Sequence, residues 1–201
     1  MQKKLNPSET ALILIGYQND YFSPSGILHS VVELSTDVLL HSSLDILNRL
    51  KDTPVTIIST PILFTPDYSE LVEPVGILKI IKESQAFRND TEGGKVIPEL
   101  MNFGDRIIEV PGKRGLNAFS NTNLLDVLRQ KAIRDVVLMG VVTPLCIEST
   151  GRQAAEYGFR VHILSDATAG RTKFEQEFYC SEIFPLYANV MDSQTLIDAI
   201  V

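Results

Sequence analysis

Asp135-Val136-Val137-Leu138-Met139-Gly140-Val141-Val142-Thr143-Pro144-Leu145-Cys146 reads as a buried strand that stops at a glycine and turns at once into a helix. Asp135–Met139 is too continuously apolar for a half-exposed strand and suits one covered on both faces. Thr143 is placed to cap the helix that follows, which puts Pro144 at its first position, where a missing N–H costs nothing. Cys146 then falls in the first turn, where unpaired backbone N–H groups and the helix dipole favour an anion, here a thiolate. The helix runs to about Tyr157, and Gly158 can close it. Open α/β sheets place their ligands beyond the carboxyl ends of their strands, and Cys146 lies at such a point. The same residue also reads as a small core hydrophobe, since free cysteine is often buried. Cys180 has no comparable placement and reads as structural.

Working outward, the same alternation recurs. Ala11–Ile15 is a second continuous apolar run, residues 31–50 carry apolar groups at helical spacing, and Val55–Ser59 reads as a strand after Pro54. Residues 61–104 are irregular and rich in proline and glycine. Arg106–Val110, Arg160–Leu164 and a strand beginning near Val190 complete the set, with helices after Thr122, over 172–184 and over Ser193–Val201. This predicts a three-layer α/β/α fold with a central, mostly parallel six-stranded sheet of Rossmann-like type, in one domain spanning 1–201.

Composition narrows the chemistry. The 201 residues are 44% hydrophobic and carry a net charge of -7, which supplies no attractive field for nucleic acid or an acidic membrane. Two cysteines are too few for a disulfide framework. His29, His41 and His162 are isolated from one another, so no metal site and no cofactor is expected. The amino-terminal stretch does not read as a signal peptide and no apolar run spans a bilayer, so a cytoplasmic protein is expected.

Three stretches together make the chain resemble the isochorismatase-like cysteine hydrolases, among them isochorismatases, nicotinamidases, N-carbamoylsarcosine amidohydrolases and ureidoacrylate hydrolases. The first is Ala11–Phe22, with Gln18-Asn19-Asp20-Tyr21 standing where the family has a Q-N-D-F stretch. The second is Lys113-Arg114-Gly115-Leu116-Asn117-Ala118-Phe119 followed by Thr122 and Leu124, similar to K-x-x-x-S-A-F-x-x-T-x-L. The third is Gly140–Cys146 with Glu148, Thr150 and Ala154 beyond it. The resemblance implies Cys146 as nucleophile, Lys113 beside it and backbone N–H groups of Thr143 and Cys146 as an oxyanion hole. It implies a cis peptide at Val142-Thr143, a small-molecule amide, ureido or isochorismate-like substrate, and a homo-dimer or homo-tetramer.

One position departs from the pattern. The family aspartate in D-x-Q-N-D-F falls on Gly16, which cannot accept a proton. Asp20, Glu148 and Asp166 lie near strand or helix ends and are candidates for a substitute base. Glycine fits the backbone there easily, so losing the aspartate should damage proton transfer far more than the fold, and a large gain in rate in Gly16→Asp would show that the base was the missing part. The alternative is a catalytically impaired family member that binds a small metabolite. Nicotinamidases carry histidines after the second strand; Ser59–Tyr68 has none, which counts against that metal site. Tyr17, Tyr21 and Phe119 are candidates to line a pocket, Arg88 to hold a substrate carboxylate, and Gln18 to brace the loop or border the pocket.

Overall fold

A computed structural model describes residues 4–32 and 36–200. Six strands form one sheet: β1 (Thr10–Ile15), β2 (Thr56–Thr60), β3 (Ile107–Glu109), β4 (Asp135–Val141), β5 (Arg160–Ala169) and β6 (Asn189–Met191). Their order is β3-β2-β1-β4-β5-β6, and every pairing is parallel. The chain winds outward from β1 to β3, then returns to lay β4 on the other side of β1. Its switch point is therefore the crevice above the carboxyl ends of β1 and β4.

The two central strands are buried along their whole length, as their unbroken apolar runs require. Helices flank the sheet in the three-layer arrangement: α1 (Thr36–Leu50), α2 (Gly76–Ser84), α3 (Leu124–Gln130), α4 (Glu148–Glu156), α5 (Lys173–Phe178) and α6 (Ser193–Ile200). Leu39, Ile46, Leu47 and Leu50 turn one face of α1 into the core. The helix expected from residue 31 is split. Val31 ends a short 3-10 turn, α1 begins at Thr36, and Leu34 lies outside the described residues, as does Val201 at the expected end of the last helix.

Strand β5 runs five residues beyond the expected Leu164, to Ala169. Its pairing with β4 slips between Leu138 and Gly140, so that Gly140 faces Thr168. Ser165 and Asp166 lie in that irregularity, and their polarity hid the continuation. Asp166 accepts from the backbone N–H of Ser193 at 2.9 Å and from its hydroxyl at 2.6 Å, which fixes the start of α6.

Glycine is required where β4 passes β1. Gly140 has φ +115°, and a Cβ there would stand 2.0 Å from the Ile15 carbonyl oxygen. Only a residue without a side chain lets the two strands end side by side.

At the opposite edge of the sheet, Asp135 is fully buried at the start of β4. It accepts from Arg160 Nε at 2.7 Å, from Arg160 Nη2, and from His162 Nε2 at 2.9 Å. Burial alone would raise its carboxyl, but these hydrogen bonds outweigh burial and hold it below the usual carboxylate range. A cavity of about 300 Å³ adjoins this cluster, at the far end of β4 from Cys146. Among the described residues no helix is long and apolar enough to cross a membrane.

Candidate active site

The turn carrying Cys146 is wider than an α-helix. Thr143–Ile147 forms a π turn that leads directly into α4. Such wide turns cluster at functional sites because they leave one residue out of register with the helix below. Val142, not Thr143, is the capping residue, with both Leu145 N–H (3.0 Å) and Ile147 N–H (3.3 Å) on its carbonyl. The Thr143 hydroxyl does not cap. It donates to Gln176 Oε1 at 2.6 Å, a partner 33 residues away that no local rule reveals. The Gln176 amide in turn donates to the Ser165 carbonyl and the Thr168 hydroxyl, both at 3.0 Å, so α5 and β5 hold the turn in place. The cis peptide lies one residue earlier than expected, at Val141-Val142.

Lys113 arrives from the loop after β3. Leu63 N–H donates to the Lys113 carbonyl at 3.0 Å, which ties this loop to the one following β2. The side chain is completely buried. Its Nζ donates to the Gly115 carbonyl at 2.6 Å and to Cys146 Sγ at 3.4 Å. Burial lowers the ammonium pKa, and the neighbouring cysteine opposes that shift without cancelling it. The rest of the loop docks on the helix below Cys146, where Ala118 N–H donates to the buried Thr150 hydroxyl at 3.0 Å. Cys146 itself is 2% exposed.

The three carboxylates considered as substitute bases are committed elsewhere. Asp20 accepts from Phe87 N–H at 2.6 Å through one oxygen and from Ile27 N–H at 3.4 Å through the other. It clamps two loops that cross over β1. Glu148 pairs with Arg152 one turn along α4, and Asp166 holds Ser193. Among the described residues no carboxylate is hydrogen-bonded to Cys146 or Lys113.

Gly16 is not a simple vacancy. It has φ +77°, and a Cβ built on it would lie 2.8 Å from both the Val141 carbonyl oxygen and Val141 Cγ2. Glycine does fit here, and the backbone has turned into a conformation that L side chains avoid, so the position differs from an aspartate site in its backbone as well as in its missing carboxylate.

The expected pocket residues divide. Tyr17 is buried against Phe22, with its hydroxyl 2.6 Å from Ser43 Oγ, so it belongs to the core and not to a pocket wall. Gln18 braces: its amide donates to the Ile62 and Gly94 carbonyls at 2.7 Å, and its oxygen accepts from Ile62 N–H at 2.7 Å. The Arg88 fork is taken by Asp90, at 2.9 and 2.7 Å. Phe119 packs edge-on against Tyr157. Tyr21 alone stays at the site, close enough for its phenol to feel the charge of Cys146. Gln176 and its anchoring of Thr143 were not foreseen. A cavity of about 450 Å³ adjoins Gln176 and is also lined by Thr168, Gly170, Arg171 and Lys173.

The parallel six-stranded fold is one that known proteins share. The Isochorismatase domain model matches residues 10–195. Nicotinamidase 3 of Arabidopsis thaliana is 27% identical over 195 residues, covering 95% of this chain and 88% of the relative. The uncharacterized isochorismatase family protein YecD of Escherichia coli O157:H7 is 28% identical over 205 residues, covering 98% and 99%. The crystal structure of a cysteine hydrolase from Pseudomonas syringae pv. phaseolicola superposes with a TM-score of 0.84 at 23% identity, covering 98% of this chain and 94% of that one. With nearly its whole length matched, from β1 to the start of α6, this chain belongs to the isochorismatase family.

Proposed function

We propose that this protein is a cysteine-dependent hydrolase of a small amide, ureido compound or isochorismate-like vinyl ether, with Cys146 as nucleophile and Lys113 as its proton partner. The observation that carries the reading is the fully buried Lys113 Nζ held 3.4 Å from Cys146 Sγ. A cation buried without an acidic partner is costly. Lys113 can relieve that cost in two ways, by shedding a proton or by facing a thiolate. Burial, which lowers the lysine pKa, favours the first, and the charge of a Cys146 thiolate favours the second.

For an amide or ureido substrate, the free amine takes the thiol proton and Cys146 attacks the carbonyl carbon. Charge developing on the substrate oxygen falls beside the backbone N–H groups of Thr143 and Cys146, which serve as the oxyanion hole. The bond to the leaving group breaks, and the Lys113 ammonium returns its proton to that group. Water then attacks the acyl-enzyme, one of its protons passes to Lys113, and the thiol is regenerated. A homo-dimer or homo-tetramer remains part of the proposal.

Alkylation with iodoacetamide, resolved by peptide, tests the nucleophile. Cys146 should react at neutral pH at least tenfold faster than Cys180, whose thiol burial pushes up to about 11. Equal, slow labelling of both would remove the reactive cysteine. Turnover of a panel of amides and ureido acids, lost in Cys146→Ala, supports the hydrolase. That no carboxylate among the described residues is hydrogen-bonded to the Cys146–Lys113 pair favours one second reading, a binding protein. It requires binding in both wild type and variant with turnover in neither.

A further inference from the structure

Tyr21 combines three observations that its neighbours do not share. It sits on the single helical turn Asn19–Phe22 just after β1, 1% exposed, with its ring tilted against Phe87 at 4.9 Å between centroids. Its Cδ2 lies 3.5 Å from the point where a side chain on residue 16 would begin. The ring therefore stands over the place from which the family aspartate would leave β1.

The hydroxyl is the second observation. Buried tyrosines normally satisfy their O–H. Tyr17 does so with Ser43 at 2.6 Å, Tyr68 with the Ala86 carbonyl at 2.6 Å and Tyr187 with the Glu148 carbonyl at 3.3 Å. Among the described residues the Tyr21 hydroxyl has no hydrogen-bond partner. Nor is it sealed from solvent, because His162 Nδ1 is the one described side-chain N or O that is both sealed and unpartnered. An unpaired phenol at the end of a ring that is 1% exposed leaves one hydrogen-bond donor for a ligand to satisfy.

The third observation is charge. Burial first, and then the negative charges of Cys146 and Asp20, hold the Tyr21 phenol well above its ordinary pKa. It stays protonated and so keeps its hydrogen to donate. Among the described residues it is not hydrogen-bonded to Cys146 Sγ, whose partner is Lys113.

We propose that the Tyr21 hydroxyl donates a hydrogen bond to the substrate beside Cys146, occupying the position of the missing carboxylate but reversing its polarity. This rests on the reading of Cys146 as the reactive cysteine. A carboxylate at this point would accept a proton; Tyr21 offers one for sharing and keeps it. The proton traffic then falls to Lys113, while Tyr21 polarises and orients. Lys113, Tyr21 and the turn N–H groups are all donors, so the site selects substrates whose scissile group carries acceptors. An amide or ureido oxygen is the chemical class that fits.

Two alkylating probes of similar size and the same leaving group separate this role from others. Iodoacetamide carries an amide oxygen; allyl iodide has no acceptor. For Cys146, Tyr21→Phe should slow iodoacetamide about tenfold and allyl iodide less than twofold, with the thermal midpoint unchanged within about 2 °C. An iodoacetamide rate within twofold of wild type overturns the proposal. So does an equal slowing by both probes, which would mean an effect on the thiol itself. A large fall in thermal midpoint would reveal a structural hydrogen bond and overturn it as well. If wild-type Cys146 reacts no faster than Cys180 with either probe, the reactive-cysteine reading fails first, and that result is visible without the variant.

Discussion

Replacing Lys113 by methionine isolates the contribution of the buried ammonium. Nζ lies 3.4 Å from Sγ. At an effective dielectric of about 20 the attraction between ammonium and thiolate at that distance is about 5 kcal/mol, equivalent to about 3.5 pH units. In Lys113→Met the pH midpoint of Cys146 alkylation should rise by up to that amount. Thiolate at pH 7 then falls about 3000-fold. A more basic thiolate is also a better nucleophile, with a Brønsted slope of about 0.45, which recovers about 40-fold. The net loss in alkylation rate at pH 7 is therefore about 80-fold.

Methionine is apolar and similar in length, and removing a buried charge relieves its desolvation cost. The Gly115 carbonyl loses its donor, at about 1 kcal/mol, or about 2–4 °C in thermal midpoint. The assay is iodoacetamide labelling from pH 6 to 10, read by peptide, with Cys180 as internal reference. A midpoint moved by less than half a unit, with the pH 7 rate within threefold of wild type, would falsify the assignment of Lys113 as the proton partner.

Two other perturbations follow from the geometry. Gly16→Asp should fail to raise turnover and should lower the thermal midpoint, since φ +77° and the 2.8 Å approach to the Val141 carbonyl penalise any side chain. Gly16→Ala should fall nearly as far, by about 4–8 °C for a cost of about 2 kcal/mol; a stable, faster Gly16→Asp enzyme would refute the strain argument. Asp135 has a depressed folded-state pKa, so its contribution is complete above the unfolded value of about 3.9 and is lost as pH falls through the folded value. Wild type should lose stability steeply in that acid range, whereas Asp135→Asn should be less stable at pH 7 and flatter below pH 4. Its Cys146 labelling should not change, because Asp135 lies at the other end of β4.

Legibility in the sequence followed the range of the forces involved. The unbroken runs of β1 and β4 announced strands covered on both faces, and Gly140 announced the turn, because these are local patterns. The Thr143 cap was a sound local inference. It was overridden by a 2.6 Å hydrogen bond to Gln176, supplied by the helix that follows β5. Lys113 and Cys146 are 33 residues apart, and nothing in their own surroundings predicts contact; the family resemblance pointed to it. Residue 16 announced a missing carboxylate but not the backbone turn that accompanies it, since that turn lies against Val141 on the neighbouring strand, a long-range contact. The candidate bases were chosen for lying near strand or helix ends. Strand and helix ends are also where backbone N–H groups need acceptors, and Asp20 and Asp166 were taken by that demand.

The Gln176 side chain sets a chemical lifetime for the site. One amide oxygen accepts from Thr143, while the amide nitrogen serves Ser165, Thr168 and Cys180. Glutamine ages by hydrolysis to glutamate, which changes its mass by less than one part in twenty thousand of this chain. The product presents a second oxygen, with no hydrogen to give, to the Ser165 carbonyl and a new negative charge beneath the turn that carries Cys146. A preparation could keep its fold and its cysteine and still lose activity on the shelf, one side-chain amide at a time.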